Sequence, residues 1–153
     1  MTKGKCKLTL WQILLILYGS IMLYLLFART LRWTDGIPYR DQLLHNANFI
    51  PFQTIKTYVS ILWDSGKSLR LTESIVNLGG NIFLFIPAGL LFPRVWPRLG
   101  RFFAFLAICT GVILLVETIQ LFTFLGNFDV DDLILNLFGM CIGFVLYKIT
   151  AKG

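Results

Sequence analysis

Acids and amides set inside long apolar runs are the residues of this chain with the most evident chemical potential. Glu117 lies within Phe102–Leu125, a run otherwise almost wholly apolar, and Gln120 follows at i+3 on the same helical face. Asn77 and Asn81 stand four apart within Ile75–Phe92. Asp129, Asp132, Asn136, Gly139 and Gly143 recur at spacings of three, four, three and four, which is one stripe of one helix. A carboxylate at the centre of a membrane helix costs about 2.5–3.5 kcal/mol on insertion scales, so it faces protein or water rather than lipid. Three helices thus bring polar faces to one level, the outer half of a bilayer, where they can share a buried pocket. Glu117 and Asp132 are its candidate acid and base. Asn77, Asn81, Gln120 and Asn136 are orienting donors, and Asp129 is a further binding residue. The competing reading is an interhelical hydrogen-bond network that only fixes the bundle, each bond worth about 0.6–2 kcal/mol.

Other chemistries find little support. There is no G-x-S-x-G and no Cys/His pair, and His45 is the only histidine. Cys6, Cys109 and Cys141 share no short spacing, and the last two fall in apolar runs as packing residues do. Carboxylate and amide oxygens can take a divalent ion, but no ligand spacing demands one, so no metal and no cofactor is expected.

The elements that must position these residues are membrane spans. Of the 153 residues, 56% are hydrophobic and only 14% charged, and the mean hydropathy is +0.73. A soluble domain of this size cannot bury that much apolar surface, which excludes a soluble enzyme, a disordered chain and a disulfide-built secreted module. Four segments approach the roughly 20 apolar residues a bilayer requires. They are Leu8–Ala28, Ile75–Phe92, Phe102–Leu125 and the shorter Leu133–Ile149. The first is too long for a signal-peptide core and no A-x-A site follows it. Pro87 interrupts the ladder of the second span at the carbonyl of Phe83, and Gly79 and Gly80 permit close helix approach there. The expected fold is all-α, a single-domain polytopic four-helix membrane bundle over residues 1–153.

Lys3, Lys5, Lys7, Arg94, Arg98, Arg101, Lys148 and Lys152 flank the spans on one side, so both termini are expected in the cytoplasm. The +6 net charge then reflects orientation in the bilayer, and no nucleic-acid partner is expected. The long outer segment 29–74 carries six basic residues against this rule, Arg40 and Arg70 among them. Within it, Ile55, Tyr58, Val59, Leu62 and Trp63 recur at helical spacing. They predict an extracytoplasmic amphipathic helix over Gln53–Trp63, lying on the membrane surface or capping the bundle. Pro51 sets the turn into it.

The order of these motifs resembles that of the VanZ-like membrane proteins. Asn48-Phe49-Ile50-Pro51-Phe52 is similar to the family's N-x-x-P-F. Asn77 to Leu91, with Asn81, Pro87 and Gly89, is similar to its N-x-x-x-N…F-x-P-x-G-x-L. Glu117 to Gln120 matches E-x-x-Q. Asp129, Asp132, Asn136, Gly139 and Gly143 match D-x-x-D-x-x-x-N-x-x-G-x-x-x-G. The resemblance runs from about Asn48 to Lys148 and adds Asn48 to the candidate binding residues. It departs at Gly126-Asn127-Phe128, where many of these proteins carry an Arg shortly before the first Asp.

The resemblance implies a bacterial cytoplasmic-membrane protein that modulates susceptibility to lipid-bearing glycopeptides such as teicoplanin, with no agreed chemistry. Its implied partners are a membrane lipid or lipid-linked envelope component, or the lipoglycopeptide itself. The alternative is a membrane enzyme acting on a lipid headgroup or lipid-linked precursor through the carboxylate and amide pocket. A transporter is disfavoured, because polar groups confined to one half of the bilayer give no continuous route across it.

Overall fold

A computed structural model describes the backbone of residues 9–28, 34–63 and 68–151. Lys3, Lys5, Cys6, Lys7, Lys152 and the side chain of Arg70 lie outside the described residues. Among the described residues, six α-helices run in the order α1 (Leu10–Phe27), α2 (Tyr39–His45), α3 (Gln53–Trp63), α4 (Ser68–Val95), α5 (Phe102–Thr123) and α6 (Val130–Thr150). Two short strands, β1 (Ala47–Asn48) and β2 (Phe128–Asp129), pair in parallel, with Ala47 opposite Phe128 and Asn48 opposite Asp129. Helices α1, α5, α6 and the part of α4 from Ser74 to Val95 are long and apolar enough to cross a membrane.

The predicted spans are present, with shifts of boundary of which two are large. Helix α6 starts at Val130, not Leu133, because Asp129 caps it by accepting a hydrogen bond from the Asp131 N–H at 2.9 Å. Asp131 and Asp132 then occupy the first turn, where acids suit the positive end of the helix dipole. The weakest span by length thus becomes a helix of 21 residues. Helix α4 begins at Ser68, within the expected outer segment, and continues through Pro87 and Pro93. At the start of α1, Thr9 and Gln12 form a reciprocal capping box, which accounts for two polar residues in that apolar run.

Helices α4 and α6 form the most extensive helix pair, and glycine makes their closeness possible. A Cβ on Gly89 would lie 2.0 Å from the Met140 carbonyl oxygen. One on Gly139 would lie 2.1 Å from that of Ile82, and one on Gly143 2.0 Å from that of Ile86. The small-residue contact therefore uses Gly89 on α4, whereas Gly79 and Gly80 meet no other helix. The core closes with Met22 of α1, Phe85 and Ala88 of α4, Phe105, Cys109 and Ile113 of α5, and Met140 and Phe144 of α6. The rings of Phe105 and Phe144 lie 4.7 Å apart. The opposite helix faces are apolar and exposed, as at Ile16, Leu23, Phe103, Leu115, Phe138 and Ile149. Lipid is the solvent such a surface fits.

One end of the bundle is basic. Arg94 donates to the Leu90 carbonyl at 3.0 Å and to the Thr150 hydroxyl, and its guanidinium lies 4.4 Å from the centre of the Trp11 ring. The start of α1 and the ends of α4 and α6 therefore share one level. Segment 34–63 covers the other end. Gln42 is buried in it and bonds the backbone of Thr34 and Ile37. The residues expected only as a polar stretch from Tyr39 thus form the short helix α2, and His45 is exposed at its end. Helix α3 matches the predicted amphipathic helix. Ile55 and Tyr58 are half-buried as it packs on α4, while Val59 and Trp63 are exposed.

Candidate functional site

At the end opposite Arg94, α1, α3, α4, α5 and α6 enclose a polar cavity of about 160 Å³. Helix α4 contributes Asn77 and Asn81, one turn apart. Glu117 and Gln120 come from the last turns of α5, and Asp132 and Asn136 from the first two turns of α6. Glu117, Gln120 and Asn136 are 5%, 4% and 3% exposed, so the protein surrounds them almost completely. The Asn81 amide donates to Asp132 Oδ1 and, more weakly at 3.4 Å, to Asn77 Oδ1. The Gln120 amide donates to the Leu26 carbonyl at 2.9 Å, tying α5 to the end of α1. The buried Asn136 Oδ1 has no hydrogen-bond donor among the described residues. Such an acceptor is costly to leave unmet, and it marks a place where a donor can bind.

Asp129 lines the cavity and also fastens its rim. Its carboxylate accepts from the Thr54 hydroxyl at 2.6 Å and the Asn48 amide at 3.3 Å, besides capping α6. Asn48 also donates to Thr54 Oγ1 at 3.0 Å and accepts from the Ile50 N–H at 3.1 Å. The structure thus places Asn48 in the clasp joining β1, α3 and α6, outside the cavity lining. The other seven candidate residues line one cavity.

Several residues at the site were not among the candidates from the sequence. Thr54 and Tyr58 of α3, Leu26 of α1 and Asn127 also line the cavity. Asn127 sits in the segment where the resemblance led one to expect an Arg. Its place and those of its neighbours leave a lining with three carboxylates and no Lys, Arg or His among the described residues. Asp131 is completely buried. Its Oδ1 accepts from the Phe52 N–H and its Oδ2 from the Ile55 N–H at 2.9 Å, so a side chain of α6 caps α3. A signal for this was available: the residue preceding α3 is Phe52, which has no side-chain oxygen to cap a helix. Among the described residues, no group of three His, Cys, Asp or Glu side chains is placed to hold a metal ion.

Phe52 enters α3 with φ of 66°, in the left-handed region. A side chain there costs about 1–2 kcal/mol that glycine avoids. Phe52→Gly is therefore expected to be about 1 kcal/mol more stable than Phe52→Ala, as read from denaturant unfolding in detergent.

The chain is a small multi-pass helical membrane protein with a carboxylate- and amide-lined cavity at one end of its bundle. It belongs to the VanZ/LLP1 family, whose model matches residues 13–151, nearly the whole length and including most of the first span. Comparison with curated proteins and with solved structures returned no match.

Proposed function

We propose that this VanZ-like protein binds the polar head of a membrane or envelope component in the cavity and thereby lowers susceptibility to acyl-bearing glycopeptides such as teicoplanin. The observation that carries the reading is the convergence of Glu117, Asp132, Asn77, Asn81, Gln120 and Asn136 on one cavity set among membrane spans. Acids are expensive as structural glue in a membrane, and an unmet buried acceptor adds nothing to stability. The family is linked in general to teicoplanin resistance. In this reading the protein resides in a bacterial cytoplasmic membrane. The end bearing Arg94, Arg98, Arg101 and Lys148 faces the cytoplasm under the positive-inside rule, and the cavity faces outward.

The test is teicoplanin and vancomycin susceptibility in a host lacking relatives, with wild type, Glu117→Gln and Asp132→Asn at matched membrane levels. Wild type is expected to raise the inhibitory concentration of teicoplanin several-fold and to leave vancomycin, which lacks the acyl tail, nearly unchanged. Both variants are expected to lose the effect. Equal protection against the two drugs, or full protection from both variants, sinks the proposal. The presence of Glu117 and Asp132, two of the three carboxylates of the cavity, also favours a second reading, acid–base modification of a lipid head. That reading requires a lipid profile that changes on expression and reverts in Glu117→Gln.

A further inference from the structure

Below the polar cavity lies a second, apolar one of about 270 Å³. It runs along α1 from Leu26 to Leu15, a length of about 16 Å at 1.5 Å per residue, and along α4 from Phe85 to Phe92 as far as Trp96, just past the end of α4. Its other walls are Val112, Ile113 and Val116 of α5 and Met140 of α6. The two cavities adjoin at Leu26, Glu117 and Asn136, which line both. Close packing is the rule inside proteins, so a slot of this length calls for an occupant. The loosest wall is α1. It packs chiefly on α4 and has no extensive contact with α5, and most of its surface is exposed. Gly19, which lines the slot, meets nothing within 4 Å.

The junction also sets the chemistry of the head. Asn136 Oδ1 requires a donor, and Glu117, Asp129 and Asp132 are acceptors when deprotonated. No cationic side chain lines the cavity among the described residues, so an anionic phosphate there would meet like charge. We propose that the two cavities form one amphiphile site. A single hydrocarbon chain lies between α1 and the α4–α5–α6 core. A head bearing hydroxyl or amine donors, without net negative charge, lies among Asn136, Glu117 and Asp132. This rests on the head-binding reading above and specifies both the class of head and the place of the tail.

Trp96 lines the far end of the slot and reports on the tail. The full chain with Trp11, Trp33 and Trp63 replaced by Phe, held in phosphatidylcholine nanodiscs, is titrated with terminally brominated decyl glucoside, decylamine and decyl phosphate. Saturable quenching of Trp96 is expected with the glucoside or the amine, and whichever binds identifies the donor. The phosphate is expected to bind at least about tenfold more weakly, and Asn136→Leu to weaken the preferred probe by about tenfold. Gly19→Phe, which fills the slot from its open wall, is expected to abolish saturation. Linear quenching that Gly19→Phe leaves unchanged overturns the tail site, and phosphate binding as tight as glucoside overturns the head assignment. Teicoplanin susceptibility separates the two levels. Loss of protection in Glu117→Gln but not in Gly19→Phe removes the tail site alone, whereas protection retained in both removes the head-binding reading too.

Discussion

Replacing Gly139 or Gly143 with leucine is expected to prevent assembly of the bundle, while the same substitution at Gly111 leaves it intact. All three are glycines of apolar helices, yet their surroundings differ sharply. At Gly139 and Gly143 an added Cβ meets a backbone carbonyl oxygen of α4 at 2.1 and 2.0 Å, whereas at Gly111 it meets nothing within 4 Å. A carbonyl oxygen cannot turn aside as a flexible side chain can. Helices α4 and α6 would have to part by about 1 Å or more to restore ordinary contact, and the whole shared interface would loosen with them. The cost even for alanine lies at or above the upper end of ordinary overpacking, about 3 kcal/mol. The cavity would suffer together with the fold, because Asn81 reaches Asp132 across this interface. Folded yield in detergent and the denaturant midpoint are the measurements. Gly139→Leu with the midpoint of Gly111→Leu would show that the close approach is not needed.

The same stripe shows what could be read from the sequence. Spacing alone put Asp129, Asp132, Asn136, Gly139 and Gly143 on one stripe of one helix; Asp129 is the extended residue that caps α6, and the other four lie within the helix. Their division of labour follows from the partner's register, which spacing does not carry. The first three line the cavity, and the two glycines meet α4 at Gly89 and near Ile82 and Ile86 rather than at Gly79 and Gly80. The span residues of the site were legible because an acid or amide in an apolar run has few places to go. Thr54 and Asn127 were not, because each belongs to a polar stretch where such residues are ordinary, and Tyr58 read only as part of the apolar face of an amphipathic helix. What brings Thr54 and Tyr58 to the cavity is long-range: the two-residue β1–β2 pairing and the Asp129 clasp, which join positions some 75 to 81 residues apart. Helix α3 itself was legible from its amphipathic period. Its anchorage was not, since Asp131 reads as one more acid in a first helical turn.

That anchorage makes Asp131→Ala the most telling substitution outside the cavity. Two backbone N–H groups at the start of α3, those of Phe52 and Ile55, donate to this one buried carboxylate. Removing it leaves both donors unmet at the positive end of a helix dipole, at a cost of about 3–5 kcal/mol. The loss is expected to be local. Helix α3 has no fully buried residue of its own and leans on α4 through half-buried Ile55 and Tyr58, so it detaches before the α4–α6 pair separates. Amide exchange over residues 55–63 should then accelerate about a hundredfold or more in Asp131→Ala. Exchange in the half of α4 that holds Gly89, and in α6 beyond Gly139, should stay near wild type. Asp41→Asn, an acid in the exposed first turn of α2, serves as the control and should change little. Because Thr54 and Tyr58 form part of the cavity wall, release of α3 also opens the cavity on that side. Asp131→Ala should therefore weaken head binding while leaving Glu117, Asp132 and the slot beside Trp96 in place, so tail quenching persists with reduced preference among heads. Unchanged exchange over residues 55–63 would mean that the contact with α4 suffices and that the buried carboxylate is not what holds α3.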